Sequence, residues 1–174
     1  MRKIFLSIFL LLSVFAYALR EVNGVLYREY QNERFGYVVE YPPEILFIQP
    51  APTDNDGRTF LSEDQDSEML IYGTYFLSPS TDSGNNDMKK MVVDNYYYVI
   101  NNDYSSAKIT YQKLNQSDGW YVVSGILNGK VFYHKVRAVP GADAYFLVFD
   151  MKYPMDQKDI YDKLLDSITK SIKF

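Results

Sequence analysis

An α+β fold is predicted: an antiparallel β-sheet of about six to seven strands flanked by helices, arranged as an α/β/α sandwich. Three observations predict it. Four strand-like runs follow one another between residues 107 and 153 with no helix among them. Parallel strands need crossover connections, so the sheet cannot be mainly parallel. Two segments, at 87–102 and 156–172, repeat apolar residues at helical spacing. The chain also holds 17 Tyr and 11 Phe against one Trp, and such rings suit a half-buried pleated face.

Residues 19–32 read as an N-terminal leader with a turn at Asn23-Gly24. Phe35, Tyr37, Val39 and Tyr41 then alternate on one face of a strand, which Pro42-Pro43 stops. Ile45 to Ile48 reads as a short edge strand before Pro50-Ala-Pro52. After the turn cluster Asp54-Asn-Asp-Gly57, Arg58–Ser62 and Met69–Leu77 read as a hairpin joined by the acidic loop Glu63-Asp-Gln-Asp66. Its second arm is apolar on both faces, as expected for a central strand covered on two sides. Ser78 to Asn86 is a loop by composition.

Asn86 or Asp87 is placed to cap a helix running to Asn102, with Met88, Met91, Val92, Tyr96 and Val99 on its apolar face. Ala107–Leu114 and Trp120–Leu127 are strands separated by Ser117-Asp-Gly119. Asn128-Gly129 is a strong hairpin signal, because both central positions of a type I′ turn need positive φ. Val131–Val139, a turn at Pro140-Gly-Ala-Asp143, and Ala144–Tyr153 complete a meander. In the last segment Asp156 suits an N-cap, with Asp159 as a capping-box partner and Met155 with Ile160 as a hydrophobic staple. Ile160, Leu164, Leu165, Ile168 and Ile172 form its stripe, and Lys170 and Lys173 suit the negative end of the helix dipole.

The N-terminus bears on location. Arg2 and Lys3 precede an apolar run from Ile4 to Phe15, and Ala16-Tyr17-Ala18 forms an A-x-A cleavage motif. These are the three parts of a secretory signal peptide, cut after Ala18. The run is shorter than the roughly 20 residues a spanning helix needs, so no stable membrane insertion is expected after cleavage. Residues 33–174 then form a single domain.

Cleavage removes two cations, leaving 16 Lys+Arg against 22 Asp+Glu, a net charge of −6. A nucleic-acid role calls for a basic surface and is not expected. The chain has no Cys, which excludes disulfides, thiolate metal sites, cysteine nucleophiles and a bacterial lipid anchor.

Candidate chemistry is sparse. Asp54, Asp56, Gly57 and Glu63 fall at positions 3, 5, 6 and 12 of an EF-hand register. Pro52 occupies position 1 and Thr59 the central apolar position, and an acidic turn between strands explains the same residues. His134, the single histidine, shares a strand face with Phe132, Val136 and Ala138, as a packed core residue would. No Gly-x-Ser-x-Gly elbow accompanies it. The acids Glu63, Asp64, Asp66 and Glu68 are dense, but no cleft is evident between them. In Tyr96-Tyr97-Tyr98 successive side chains point about 100° apart, so at least one faces solvent. Asn115-Gln-Ser117 matches a glycosylation sequon. No catalytic, cofactor-binding or metal-binding residue is assigned, and no cofactor is expected.

Together these segments resemble the Mog/PsbP-like superfamily. The resemblance is carried by Phe35-Gly-Tyr-Val-Val-Glu-Tyr-Pro42, by Asp56-Gly57-Arg-Thr-Phe60, by the strand at Met69 to Tyr75, and by the helix, meander and C-terminal helix that follow. It covers about Leu26 to Phe174. The resemblance implies an antiparallel sheet with helices on both faces, and a small non-enzymatic accessory or binding domain. A nuclear role known within that superfamily conflicts with an export signal. The expectation is therefore a secreted or periplasmic PsbP-like binding module whose partner is a protein or envelope component. A small-ligand-binding protein with an aromatic pocket between sheet and helix is the alternative, and a hydrolase using His134 and the acidic loop is the third reading.

Overall fold

The computed structural model describes residues 19–75, 84–141 and 144–174. The signal segment, with Ala16 and Ala18, lies outside them. So do residues 76–83, which include the expected end of the second hairpin arm and most of the expected loop, and Ala142-Asp143 of the expected last turn.

Twelve regular elements follow in order: β1 (Arg20–Val22), β2 (Val25–Gln31), β3 (Val38–Tyr41), β4 (Phe47–Ile48), β5 (Gly57–Leu61), β6 (Glu68–Tyr75), α1 (Gly84–Asn101), β7 (Lys108–Asn115), β8 (Trp120–Leu127), β9 (Lys130–Val139), β10 (Tyr145–Pro154) and α2 (Lys158–Ser171). Seven strands form one antiparallel sheet in the order β4-β5-β6-β10-β9-β8-β7. The expected α+β sandwich is thus present.

A second sheet, β1-β2-β3, was not separated by the sequence pattern. The segment expected to be a leader supplies its hairpin, turned at Asn23 (φ 52°) and Gly24 (φ 80°). Asn32 then turns the chain from β2 into β3. Its Oδ1 accepts from the amides of Arg34 (3.1 Å) and Phe35 (2.9 Å), and its Nδ2 donates to the Asn55 carbonyl (3.0 Å). The side chain is fully buried with each of these groups engaged, as burial of a polar group requires. The turn delays the start of β3 to Val38, yet Phe35, Tyr37, Val39 and Tyr41 all point inward as their alternation predicts.

The last strand in sequence occupies the middle of the large sheet. β10 pairs with β6 on one side and β9 on the other, and its first five residues are all buried. Two cores result. On one face, Ile71, Phe149, Met151 and Tyr153 pack with Tyr37, Val39 and Tyr41 and with Leu164 and Ile168 of α2. On the other, Val92, Tyr96 and Val99 of α1 cover Tyr121, Val123, Phe132, Val136 and Val148. β6 feeds both, with Ile71 in the first core and Tyr72 against the second, as its two-sided apolar pattern predicts.

Both helix starts differ from expectation. α1 begins at Gly84, so Asn86 and Asp87 lie within its first turn rather than at its cap. At the C-terminal end, Pro154 stays extended (φ −60°, ψ 146°) and feeds β10 into a 3-10 turn at Met155–Gln157. The N-cap of α2 is therefore Gln157, which makes no side-chain capping bond. Asp156 and Asp159 form no capping box, and exposed Met155 and Ile160 form no staple. The buried face rotates to Tyr161, Leu164, Ile168 and Ser171. Stacking of Tyr161 on Tyr153, 5.1 Å apart and 15° from parallel, accompanies that rotation.

The chain end is stitched to β3. Val38 and Lys173 exchange backbone hydrogen bonds of 2.9 and 3.0 Å. Ser171 Oγ accepts from the Glu40 amide at 2.9 Å and donates to the Ile168 carbonyl at 2.7 Å.

Candidate functional site

α2 packs on β3 and β10 and leaves the β7–β9 half of that sheet face uncovered. Between them runs a groove of about 550 Å³. Ser124, Ile126, Val131 and Tyr133 form its floor, and Tyr153 and Leu165 its helix side. Tyr111 and Met155 stand at the rim, about half exposed. Tyr133 meets Phe149 edge-on at 6.1 Å and 71°. Its hydroxyl is pushed up to about 12, chiefly by burial and then by neighbouring Tyr111, so the groove floor is uncharged at neutral pH. Tyr153 donates to Asp162 Oδ1 at 2.6 Å, and Lys158 pairs with the same carboxylate. The helix-side charges are thus satisfied internally. An apolar, aromatic-lined trough with an open side suits recognition of a surface or an extended segment.

His134 lies on the opposite sheet face, beneath α1. Its Nδ1 donates to Asp150 Oδ1 at 2.7 Å, and its Nε2 is 3.0 Å from the Tyr121 hydroxyl. The Tyr121 hydroxyl is 2.6 Å from Asn95 Oδ1, and the Tyr104 hydroxyl donates to Asp150 Oδ1 at 3.4 Å. Asp, His and a hydroxyl in series resemble a nucleophilic triad in connectivity. The hydroxyl has the wrong character for one. Tyr121 is fully buried, and its ionisation is pushed upward, first by burial and then by the charge of Asp150. An activated nucleophile needs the reverse shift or access to a substrate. The network instead locks α1, β8, β9 and β10 together through the His134 ring, the Tyr121 hydroxyl and Asp150. Replacement of His134 by Gln is expected to lower stability by about 1–3 kcal/mol, the cost of partly orphaning buried polar partners. Binding at the groove should be unchanged, as paired urea melts and binding titrations would show.

The other sequence candidates are not brought together. Asp54 lies in the turn before β5, 3.8 Å from Arg34 across an exposed pair, while Glu63 lies in the turn after it. The five residues of β5 between them span roughly 16 Å, so Asp54, Asp56 and Glu63 do not converge as an EF-hand loop would. Among the described residues no group of three or more His, Asp or Glu side chains is placed to hold a metal ion. Asp64 is held below its usual range by hydrogen bonds from Ser62 and the Asp66 amide, a loop-closing role. In the sequon, Asn115 donates to Asp118 (2.7 Å) and accepts from Ser117 (2.8 Å), making a polar turn between β7 and β8. Tyr96 is buried and bonds Gln112, whereas Tyr97 and Tyr98 are both exposed.

Sequence reasoning missed two residues beside the groove, Lys135 and Arg137. They alternate with His134 along β9 and so face α2. A cation at every second position of a strand whose intervening residues are core was the available signal.

The architecture is a PsbP-like α+β fold. The solution structure of the cyanobacterial PsbP protein CyanoP from Synechocystis sp. PCC 6803 is similar over 84% of this chain and 91% of its own, with a TM-score of 0.55 at 16% identity. The Ran-binding protein Mog1p of Saccharomyces cerevisiae is similar over 86% of this chain and 95% of its own, with a TM-score of 0.45 at 10% identity. No family model matches the sequence, and no curated protein matches it either. At these identities the likeness is one of fold. Among the described residues no helix is long and apolar enough to cross a membrane.

Proposed function

We propose that this chain is a secreted or periplasmic, non-enzymatic accessory domain that binds a protein or envelope component through the groove between α2 and β7–β9. The groove itself carries the reading: an aromatic-floored trough of about 550 Å³ left open by a helix that covers half the sheet face. Exposed aromatic and Met side chains at its rim are the residue types that anchor interfaces. The pattern of residues 1–18 supports export. The open side favours an extended partner segment over a small ligand, which an enclosed pocket would hold.

Two measurements test this. The mature chain in a periplasmic or culture fraction should begin at Leu19 by mass spectrometry; an unprocessed cytosolic chain contradicts export. A photo-crosslinker at Tyr111 should capture one partner in the host envelope, and the same group at Tyr97, on the α1 side, should not. Equal capture from both positions, or from neither, removes the groove as the working surface. With the crosslinker moved to the other rim residue, Met155, Tyr111→Ser should abolish partner capture while changing stability by no more than about 0.5 kcal/mol, as expected for an exposed side chain.

A further inference from the structure

Beside the groove, and sharing Thr169 with it as a wall, lies a smaller cavity of about 140 Å³ lined by Lys135, Arg137, Leu147, Phe149, Ile172 and Phe174. Two adjacent cations in an apolar recess call for an anion. Among the described residues none supplies it: neither Lys135 nor Arg137 has a carboxylate within 4.0 Å, while the α2 acids Asp162 and Asp166 are already paired with Lys158 and Lys170. Arg137 Nε is buried with no hydrogen-bond partner. Its guanidinium lies 4.4 Å from the Phe174 ring centroid, a cation–π contact at the wall of the recess. Lys135 is held below the ordinary lysine range, first by burial and then by the charge of Arg137. In a chain whose net charge is negative, this unpaired pair is not a consequence of composition. Lys113 extends the positive face: it lies in register with Val122, which pairs with Lys135, and its ammonium stands 5.4 Å from the Trp120 ring centroid.

We propose that Lys135 and Arg137 form a carboxylate-binding site at the end of the groove, taking the acidic group of an extended partner segment whose apolar part lies along Tyr133 and Leu165. The guanidinium fork supplies parallel N–H donors to two carboxylate oxygens, and the ammonium supplies a second charge. Apolar walls from buried Leu147 and Phe149 raise the strength of those bonds by lowering the local dielectric. The assignment rests on the groove being the binding surface.

The probe is N-acetylphenylalanine, with its neutral amide and inorganic phosphate as separate arms, titrated into the intact mature chain by calorimetry and by NMR of the Lys135 and Arg137 side chains. The carboxylate should bind and shift both side-chain signals, and the amide should bind about tenfold or more weakly, the value of one lost charge-assisted contact. Lys135→Met and Arg137→Met should each weaken the carboxylate by a similar factor. Lys135→Met should also fold, with a Tm equal to or above that of the parent, because it removes a half-buried charge that has no partner in the free protein. Equal affinity for acid and amide overturns the proposal. Phosphate binding at these side chains in preference to the carboxylate does so as well. A Tm lower by about 3 °C or more in Lys135→Met would show an internal partner for the lysine and would also overturn it. Flat titrations alongside intact crosslinking from Tyr111 leave the groove standing and remove only the carboxylate assignment. Loss of both removes both.

Discussion

Phe60→Ala is expected to destabilise the protein by about 3–5 kcal/mol, the range for deleting a fully buried aromatic ring. Phe60 has no exposed surface. It sits on β5 of the large sheet, yet its ring packs against Tyr30 (5.8 Å, 78°) and Tyr41 (4.6 Å, 47°) from β2 and β3. Removing it opens a void at the junction of two sheets, where both rigid walls resist collapse. Set against a total stability of roughly 5–15 kcal/mol, that loss is a large fraction, and Tm should fall by roughly 10 °C. Phe60→Leu keeps most of the volume and should cost about 1.5 kcal/mol or less. A urea melt in which Phe60→Ala loses under about 1 kcal/mol would show that this ring does not join the sheets.

Gly57→Ala is expected to cost about 2–3 kcal/mol, by overpacking rather than by a void. A Cβ at residue 57 would stand 2.4 Å from both the Ile71 carbonyl oxygen and Tyr72 Cβ. The first is backbone of an interior strand and the second is fixed to it, so neither can swing away. The start of β5 must retreat, which strains the bond from the Gly73 amide to the Asp56 carbonyl (2.9 Å). Faster hydrogen exchange at Gly73, together with a lower urea midpoint, is the expected signature. Unchanged exchange at that amide would contradict the close approach.

Local pattern carried much of this fold because side-chain period and turn chemistry are local. Asn128 (φ 52°) and Gly129 (φ 79°) turn β8 into β9 as that dipeptide requires, and Phe35 to Tyr41 keep their alternation inside the core. What failed was decided by distant contacts. The capping pattern at Asp156 was overridden because Pro154 and the Tyr153–Tyr161 stack fix where α2 begins and which side it buries. The three-stranded sheet was hidden because β1 has only three residues and two of them are exposed, so its periodicity is too short to register. His134 was legible as a packed residue, but its partner was not: Asp150 lies 16 positions away and meets it only through strand register. The groove and its cations needed the position of α2, which no local signal encodes.

The stitch between Val38 and Lys173, and the bond from the Glu40 amide to Ser171 Oγ across 131 positions, bear on the order in which the sheet closes. Together with a middle strand drawn from residues 145–154, they leave the first hundred residues without the partners that complete their sheet. Contacts of such long sequence separation form slowly, so the sheet closes only after β10 and α2 are available. Until β10 and the end of α2 are in place, the strands of the first half keep unpaired edges open to pairing with other chains.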